Sequence, residues 1–469
     1  MGGYNTLMNN NTRNRNEVLT AMKHLHLLLT VGLFAFFWLL FRYQGHMPQW
    51  GMAIRYDFFM IIGYAFISYY FIWTYNAYML GHFRIRELAM SQTLSNFLSI
   101  FIVYFGTVIA WWRWCSPILI LPLLLSQTAL NIIWSYLANR SYERLYPPLK
   151  AAVIYRTKVD LKQIENLKGK ATDRTYNISD SYQFKGHDED NIDEIIEIID
   201  QYDAVFVTGI DSKMRNLIAK YCVVKNKPGY FVPHIGDLVI ASGEHVQSFS
   251  SPVVSVQRKH NGKEYLIIKR LIDIVCSTLG LIILSPLLLI IALLIKAEDH
   301  GPAFYRQTRL TKDGRTFELL KFRSMRVDAE ADGIARLSTG DNDDRITKIG
   351  RFIRATRIDE FPQLINIIKG DMTIVGPRPE RPEIADQYTK EIPEFPLRLQ
   401  VTAGLTGYAQ IYGKYNTTPY EKLEFDLMYI NNMNLLVDIK LMFATARILF
   451  SKESTEGIDE NGSTAMKKV

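Results

Sequence analysis

Hydrophobic positions along this chain have two textures. Before residue 145 they form long runs, at roughly 24–41, 57–80, 95–112 and 116–137, each near the length of a bilayer-crossing helix. After about residue 150 they break into the short clusters that alternating strands and helices produce. One long run returns late, Leu271 to Lys296, reading LIDIVCSTLGLIILSPLLLIIALLIK. Its 22-residue core, Ile274 to Ile295, would make a straight helix about 33 Å long, enough to cross a hydrocarbon layer of roughly 30 Å. Ser285-Pro286 interrupts that run. Pro286 cannot donate to the carbonyl of Ile282, and both flanks are basic, with Lys269 and Arg270 before and Lys296 after. The run is therefore expected to be re-entrant, broken at Ser285 and Pro286, so that it dips into the bilayer and returns. A kinked crossing helix is the alternative, since proline is tolerated in true spans.

The pattern divides the chain into five parts. Residues 1–23 are polar and Asn-rich and are expected to be a disordered cytoplasmic tail; 24–145 should hold four transmembrane helices. The first run is too long for a signal sequence and lacks a small-x-small cleavage site, so it is expected to stay as an anchor. Trp38, Trp50, Trp73, Trp111, Trp112 and Trp114 crowd the run ends, where indole N–H groups reach the headgroups. Arg13, Arg15 and Lys23 precede the first run, Arg84 and Arg86 lie between the second and third, and Arg140, Arg144 and Lys150 follow the fourth. Against Arg42, Arg55 and Arg113 on the other side, this excess places both ends in the cytoplasm.

Residues 150–255 read as a small α/β unit with a parallel sheet. AAVIY (151–155), AVFVTG (204–209) and GYFVP (229–233) are candidate strands, residues 191–201 a helix, and Asp211 a cap for a helix through Met214, Leu217, Ile218 and Cys222. No G-x-G-x-x-G follows the first strand, so the unit is a degenerate Rossmann-like, CoA-binding-like domain with a structural or regulatory role rather than a dinucleotide site. Residues 266–450 should form an α/β catalytic domain carrying the re-entrant helix, and 451–469 a disordered tail.

Composition sharpens this division. A chain of 469 residues that is 48% hydrophobic and carries a net charge of +7 fits a membrane protein with an anionic ligand. Cys115, Cys222 and Cys276 are too few and too scattered for a disulfide framework or a zinc cluster, which suits a reducing compartment.

Candidate chemistry lies after residue 300. In KFRSM (321–325), a strand would put Lys321 and Arg323 on one face and Phe322 on the other. ITKIGRFIRATRI (346–358) gives an amphipathic helix with Ile346, Ile349, Phe352 and Ile353 on its apolar side and Lys348, Arg351, Arg354 and Arg357 on the other. Asp359-Glu360 follows, just before a helix that Pro362 would open and Gly370 would close. In GDMTIVGPRP (370–379), two prolines bracket Arg378 on a stiff loop suited to phosphate recognition. One cation 4 Å from one phosphate charge is worth only about 4 kcal/mol at an effective dielectric of 20, so a diphosphate calls for several cations and a divalent metal.

KRLID (269–273), the Ser285-Pro286 break, GPAFYRQTRL (301–310), KFRSM (321–325), DDRITKIGRFIRATRIDEFPQL (343–364), GDMTIVGPRP (370–379), GLTGYAQ (404–410) and EFDLMYI (424–430) together resemble the bacterial sugar transferase family of monotopic phosphoglycosyl transferases. The resemblance covers most of the last 200 residues. The four spans and the Rossmann-like unit resemble its larger members, which start exopolysaccharide or capsule assembly. It implies transfer of hexose 1-phosphate from a UDP-sugar to undecaprenyl phosphate with release of UMP, on the cytoplasmic face of a bacterial inner membrane. Asp359 would be the covalent nucleophile and Glu360 the Mg²⁺ ligand, with Arg354, Arg378 and Lys321 on phosphate oxygens. Arg323 is a further candidate, and Asp426 and Asp438 match acidic positions of the family motif. The partners implied are a UDP-hexose, undecaprenyl phosphate and the bilayer, with no nucleic acid; homo-oligomerisation is left open. Glucose or galactose is favoured over an N-acetylated hexose. Ala403 stands where the family usually has proline and is expected to loosen that loop. Two rivals remain, an idle membrane scaffold and a glycosyltransferase that moves only the sugar and releases UDP.

Overall fold

The computed structural model describes residues 2–43, 53–80, 85–112, 114, 116, 118, 120–158, 160–161, 164, 175–184, 192–246, 251–259, 261–327, 329, 345–413 and 417–449. The expected tail at 451–469 lies outside them. The chain forms two compact units, Met1–Val232 and Pro233–Val469.

The first unit opens with four packed helices, α1 (Gly2–Tyr43), α2 (Ala53–Thr74), α3 (Ile85–Trp111) and α4 (Ile120–Leu145). Each is long and apolar enough to cross a membrane. Residues 2–23, expected to be a disordered tail, instead continue α1 toward the N-terminus; polarity alone did not decide, because an Asn-rich stretch can extend a helix already nucleated by the apolar run behind it. The four-helix core is polar where the exterior is greasy. On α4, Gln127, Asn131, Ser135 and Asn139 recur every fourth residue and are all fully buried, while Phe36, Phe58, Phe66 and Ile109 face outward. Their bonds cross between helices: Asn131 Oδ1 lies 3.0 Å from His26 Nε2, Gln127 donates to the Thr30 carbonyl at 3.1 Å, and Ser135 donates to Gln92 Oε1 at 3.0 Å. Helices that gain nothing from burying apolar side chains in lipid associate through such bonds and close packing.

After α4 come β1 (Leu149–Tyr155), β2 (Tyr176–Gln183), α5 (Ile192–Gln201), β3 (Ala204–Thr208), α6 (Ser212–Val224) and β4 (Gly229–Phe231). The four strands make one parallel sheet in the order β2-β1-β3-β4. β2 carries no hydrophobic run and was invisible to the pattern; it pairs at the sheet edge, mostly exposed. Asp211 caps α6 by accepting from Lys213 N and Met214 N at 3.0 and 3.1 Å. The chain leaves β3 through Gly209 at φ +67°, where the Asp160 carboxylate lies so close that an added Cβ would be 2.1 Å from its Oδ2. A negative charge thus sits at the carboxyl ends of β1 and β3, the place where a doubly wound sheet would receive a pyrophosphate.

The second unit begins with α7 (Ile235–Ala241) and the hairpin β5 (Glu244–Val246) and β6 (Val253–Ser255). The boundary expected near residue 255 therefore falls earlier, because Ile235, Leu238 and Val239 pack into the cluster built by Leu423, Leu427 and Ile430. Then follow α8 (Lys263–Asp299), β7 (Phe304–Leu310), β8 (Thr316–Phe322), α9 (Lys348–Ala355), α10 (Gln363–Lys369), β9 (Thr373–Val375), α11 (Pro382–Glu391), β10 (Gly404–Thr406), α12 (Tyr408–Tyr412), α13 (Pro419–Asn431) and α14 (Leu435–Leu449). β7 and β8 pair antiparallel, and β9 and β10 pair parallel. That second pair is tight: a Cβ on Gly404 would lie 2.1 Å from Gly376 N.

α8 is one helical element through Ser285-Pro286, so the break expected there is not found. The Ile282 carbonyl that Pro286 leaves without a backbone donor accepts from Ser285 Oγ at 2.8 Å. Both ends of α8 are anchored to the same unit. At the start, Lys269 pairs with Asp438 at 2.7 Å, Arg270 donates to the Ile367 and Ile368 carbonyls, and Asp273 accepts from Thr373 Oγ1 and Ile374 N. At the end, Ile291 and Ile295 pack with Phe322, Ile353 and Ile358, and Glu298 accepts from Lys348 N at 2.8 Å. Between the anchors, Leu279, Ile282, Ile283 and Leu289 are exposed.

Candidate active site

Two elements deliver the carboxylates. Thr347 caps α9 by accepting from Gly350 N at 2.9 Å. α9 buries Ile353 but leaves Phe352, assigned by periodicity to the same apolar side, 56% exposed. The chain then reverses at Arg357, whose φ of +55° lies in the left-handed region. A side chain there is uncommon, and such strain clusters at functional sites. It delivers the 3₁₀ turn Ile358–Glu360 that leads into α10. Asp359 and Glu360 thus stand before α10, as the proline pattern implied.

β8 brings up Lys321. Its position relative to the turn is set by Asn366 of α10, whose carboxamide imitates a strand: Leu320 N donates to Asn366 Oδ1 at 2.9 Å and Asn366 Nδ2 donates to the Glu318 carbonyl at 2.8 Å. Opposite stands Arg378, on the loop after β9.

The adjacent carboxylates are not equivalent. Glu360 Oε1 accepts from Arg378 Nη2 at 2.6 Å and from Lys321 Nζ at 3.2 Å. Burial pushes the Glu360 carboxyl upward, but the Arg378 and Lys321 charges overcome it and hold the group well below the usual carboxylate range. Asp359 makes no hydrogen bond or ion pair with any described residue. Burial, then the neighbouring Glu360 charge, pushes its carboxyl up to about 6 against the opposing pull of Lys321, Arg354 and Arg378. One carboxylate is neutralised and fixed while its neighbour is half-buried, unpaired and surrounded by cations.

The other residues singled out from sequence separate from this centre. Arg323 lies just past β8 with its guanidinium over Gly301. Asp426 pairs with Arg398, and Asp438 with Lys269, rather than with the dyad. Ala403 does not loosen its loop; its N–H donates to Thr311 Oγ1 at 3.2 Å, a bond proline could not make. Arg309 and Arg398 were missed, since no local pattern marks an arginine whose partners are loop carbonyls.

Among the described residues no group of three or more His, Cys, Asp or Glu is placed to hold a metal. Mg²⁺ usually binds through one or two carboxylates with substrate phosphates and water completing its shell, so Glu360 is the residue that would hold it.

Residues 264–452 match the family model described as bacterial sugar transferase. The chain is 40% identical over 190 residues to UDP-N-acetylgalactosamine-undecaprenyl-phosphate N-acetylgalactosaminephosphotransferase of Aeromonas hydrophila, covering 40% of this chain and 44% of that protein. It is 42% identical over 205 residues to UDP-glucose:undecaprenyl-phosphate glucose-1-phosphate transferase of Escherichia coli K12, covering 43% and 42%. With the Caulobacter vibrioides protein of the same name, identity is 39% over 191 residues, covering 40% of this chain and 71% of that shorter protein. The matches therefore span less than half of the first two relatives and most of the third. On these matches, the chain belongs to the bacterial sugar transferase family.

Proposed function

We propose that this protein is a phosphotransferase that moves hexose 1-phosphate from a UDP-sugar to undecaprenyl phosphate, releasing UMP, through a covalent intermediate on Asp359. The observation that carries this reading is the asymmetry of the dyad: Glu360 is held by Arg378 and Lys321, while Asp359 has no hydrogen-bond or ion-pair partner among the described residues. An ionised carboxylate among cations, with its lone pairs uncommitted, is free to attack an electrophilic phosphorus. Asp359 attacks the sugar-bearing phosphorus, the bond to the bridging oxygen breaks, and UMP leaves with that electron pair. The lipid phosphate then attacks the same phosphorus, forming the diphosphate and freeing Asp359. Arg354, Arg378 and Lys321 hold the phosphoryl oxygens. Mg²⁺ held by Glu360 and the substrate would offset charge on the diphosphate and the departing UMP.

A single displacement, with Asp359 as base for the lipid phosphate, has less to recommend it, because a phosphate's second pKa near 6 leaves little proton to remove at neutral pH. With UDP-sugar and Mg²⁺ but no lipid, the full chain should release about one UMP per site and carry the sugar phosphate on the Asp359 peptide, read by mass spectrometry. Undecaprenyl phosphate should discharge it. Lipid-dependent UMP release with no adduct would refute the covalent route, and release of UDP would point to simple glycosyl transfer. Relatives of similar identity are named for glucose and for N-acetylgalactosamine, so UDP-glucose, UDP-galactose and UDP-N-acetylgalactosamine are the donors to compare in this assay.

The lipid phosphate lies at headgroup level, so the site must reach the inner-membrane surface, which this reading places on the cytoplasmic side. Support comes from the two anchors of α8. Its Asp273 end and its Ile291–Ile295 end are both held by one globular unit, whereas a crossing helix would deliver them to opposite sides of the hydrocarbon. Single cysteines at Asn261 and Lys312 should therefore label from the cytoplasm alike, with Pro286→Ala shifting part of the population toward crossing. Labelling from opposite faces would sink the re-entrant path and the shared cytoplasmic site.

A further inference from the structure

We infer that Arg398, held by Asp426, is a positioning residue that sets Arg378 against the dyad. The inference rests on Arg378 acting on the substrate phosphates.

The loop carrying Arg378 is gripped at successive carbonyls. Val375 O accepts from Lys269 Nζ at 3.0 Å and from Tyr429 OH at 2.9 Å, Pro377 O from Gly404 N at 2.8 Å, Pro379 O from Arg309 Nη1 at 3.1 Å, and Glu380 O from Leu310 N at 2.9 Å. The carbonyl of Arg378 itself is held by Arg398 Nη2 at 2.9 Å. This grip fixes the peptide plane from which the Arg378 side chain departs. Arg398 lies on the 3₁₀ segment Phe395–Gln400, with its side chain only 4% exposed and its guanidinium 4.9 Å from the Phe395 ring centroid.

A cation so buried needs a counter-charge. Asp426 of α13 supplies one, with Oδ2 2.7 Å from Arg398 Nη2, and Glu380 lies more distantly at 3.9 Å from Nη1. Burial pushes the Asp426 carboxyl up to about 6 against the pull of Arg398, as expected of a group enclosed for its partner's sake. The path runs from Asp426 to Arg398, to the Arg378 carbonyl, and through the Arg378 side chain to Glu360. Asp426 therefore serves the reaction without touching substrate. A displacement of about 1 Å at a positioned group costs on the order of 100-fold in rate, so the grip is worth keeping even though the pair itself adds little stability.

The test compares Arg398→Gln, Asp426→Asn and the double variant in the full chain, by UMP release with UDP-glucose, UDP-galactose and UDP-N-acetylgalactosamine as donors and by thermal melting. Arg398→Gln alone leaves Asp426 unpaired and should melt lower. In the double variant two neutral amides of similar shape replace the pair, so melting should return close to wild type while kcat/KM stays down about 30-fold or more. Recovery of activity together with stability would overturn the inference, showing the pair to be structural only. An Arg378→Lys background supplies the second measurement. There the Arg398→Gln loss should shrink to less than about 3-fold, because the group it orients is already wrong; fully additive losses would overturn the inference too. Absence of UMP release from the wild-type protein would instead count against the proposed function.

Discussion

Asp359→Asn is expected to abolish UMP release and, above about pH 6, to make the protein melt higher rather than lower. The amide has nearly the shape of the carboxylate but cannot form the acyl phosphate, so no turnover above background should remain. The stability effect follows from the raised pKa, from 3.8 to about 6. A folded state that binds this proton more tightly than the unfolded chain gains stability that is fully present below the ordinary carboxylate range and lost as pH rises through 6. At pH 7.5 the ionised group is held at a cost, at most about 3 kcal/mol for a shift near two units. Asparagine removes that cost, which should appear as a melting rise of a few degrees at pH 7.5 that shrinks toward pH 5. Activity of the wild-type protein should climb with pH through the same region as Asp359 ionises. Near-native turnover by Asp359→Asn would remove it from the nucleophile's role.

How far the sequence could be read depended on whether a feature is local. The long apolar helices, β1, β3, β4 and the Asp211 cap follow from runs, periodicity and one capping side chain. Asp359, Glu360, Lys321 and Arg378 were also legible, because charges in stiff, proline-bracketed or strand-like contexts stand out locally. What escaped depends on partners far along the chain. The buried row from Gln127 to Asn139 sits inside a run that reads as merely apolar, and only helix packing reveals its bonds to His26 and Gln92. Arg398 looks like any arginine until the loop 20 residues earlier is folded over it. The reversal at Arg357 has no glycine to announce it, and α7 joins the second unit through a hydrogen bond with α13, 193 residues later.

Glu360→Gln should behave in the opposite way to its neighbour. Glu360 holds two cations, with Arg378 Nη2 at 2.6 Å and Lys321 Nζ at 3.2 Å from one oxygen. Its depressed pKa means that its contribution to stability is present above the ordinary carboxylate range and is lost only as pH falls below about 4. Removing the charge at neutral pH leaves two cations facing each other. For a fully buried pair the penalty would be about 3–5 kcal/mol, but Arg378 is 39% exposed and can turn to water, so about 1–3 kcal/mol is the fitting range. The melting loss should therefore be nearly constant from pH 8 to pH 5, whereas the gain in Asp359→Asn fades over that interval. Activity should fall by about 100-fold or more, since the variant loses both the Mg²⁺ carboxylate and the anchor of Arg378. Raising Mg²⁺ should restore part of that loss if metal affinity is the larger defect, and none if Arg378 placement is. A variant with native turnover and an unchanged Mg²⁺ requirement would show that Glu360 neither holds the metal nor orders the site, and the division of labour between the two carboxylates would fail with it.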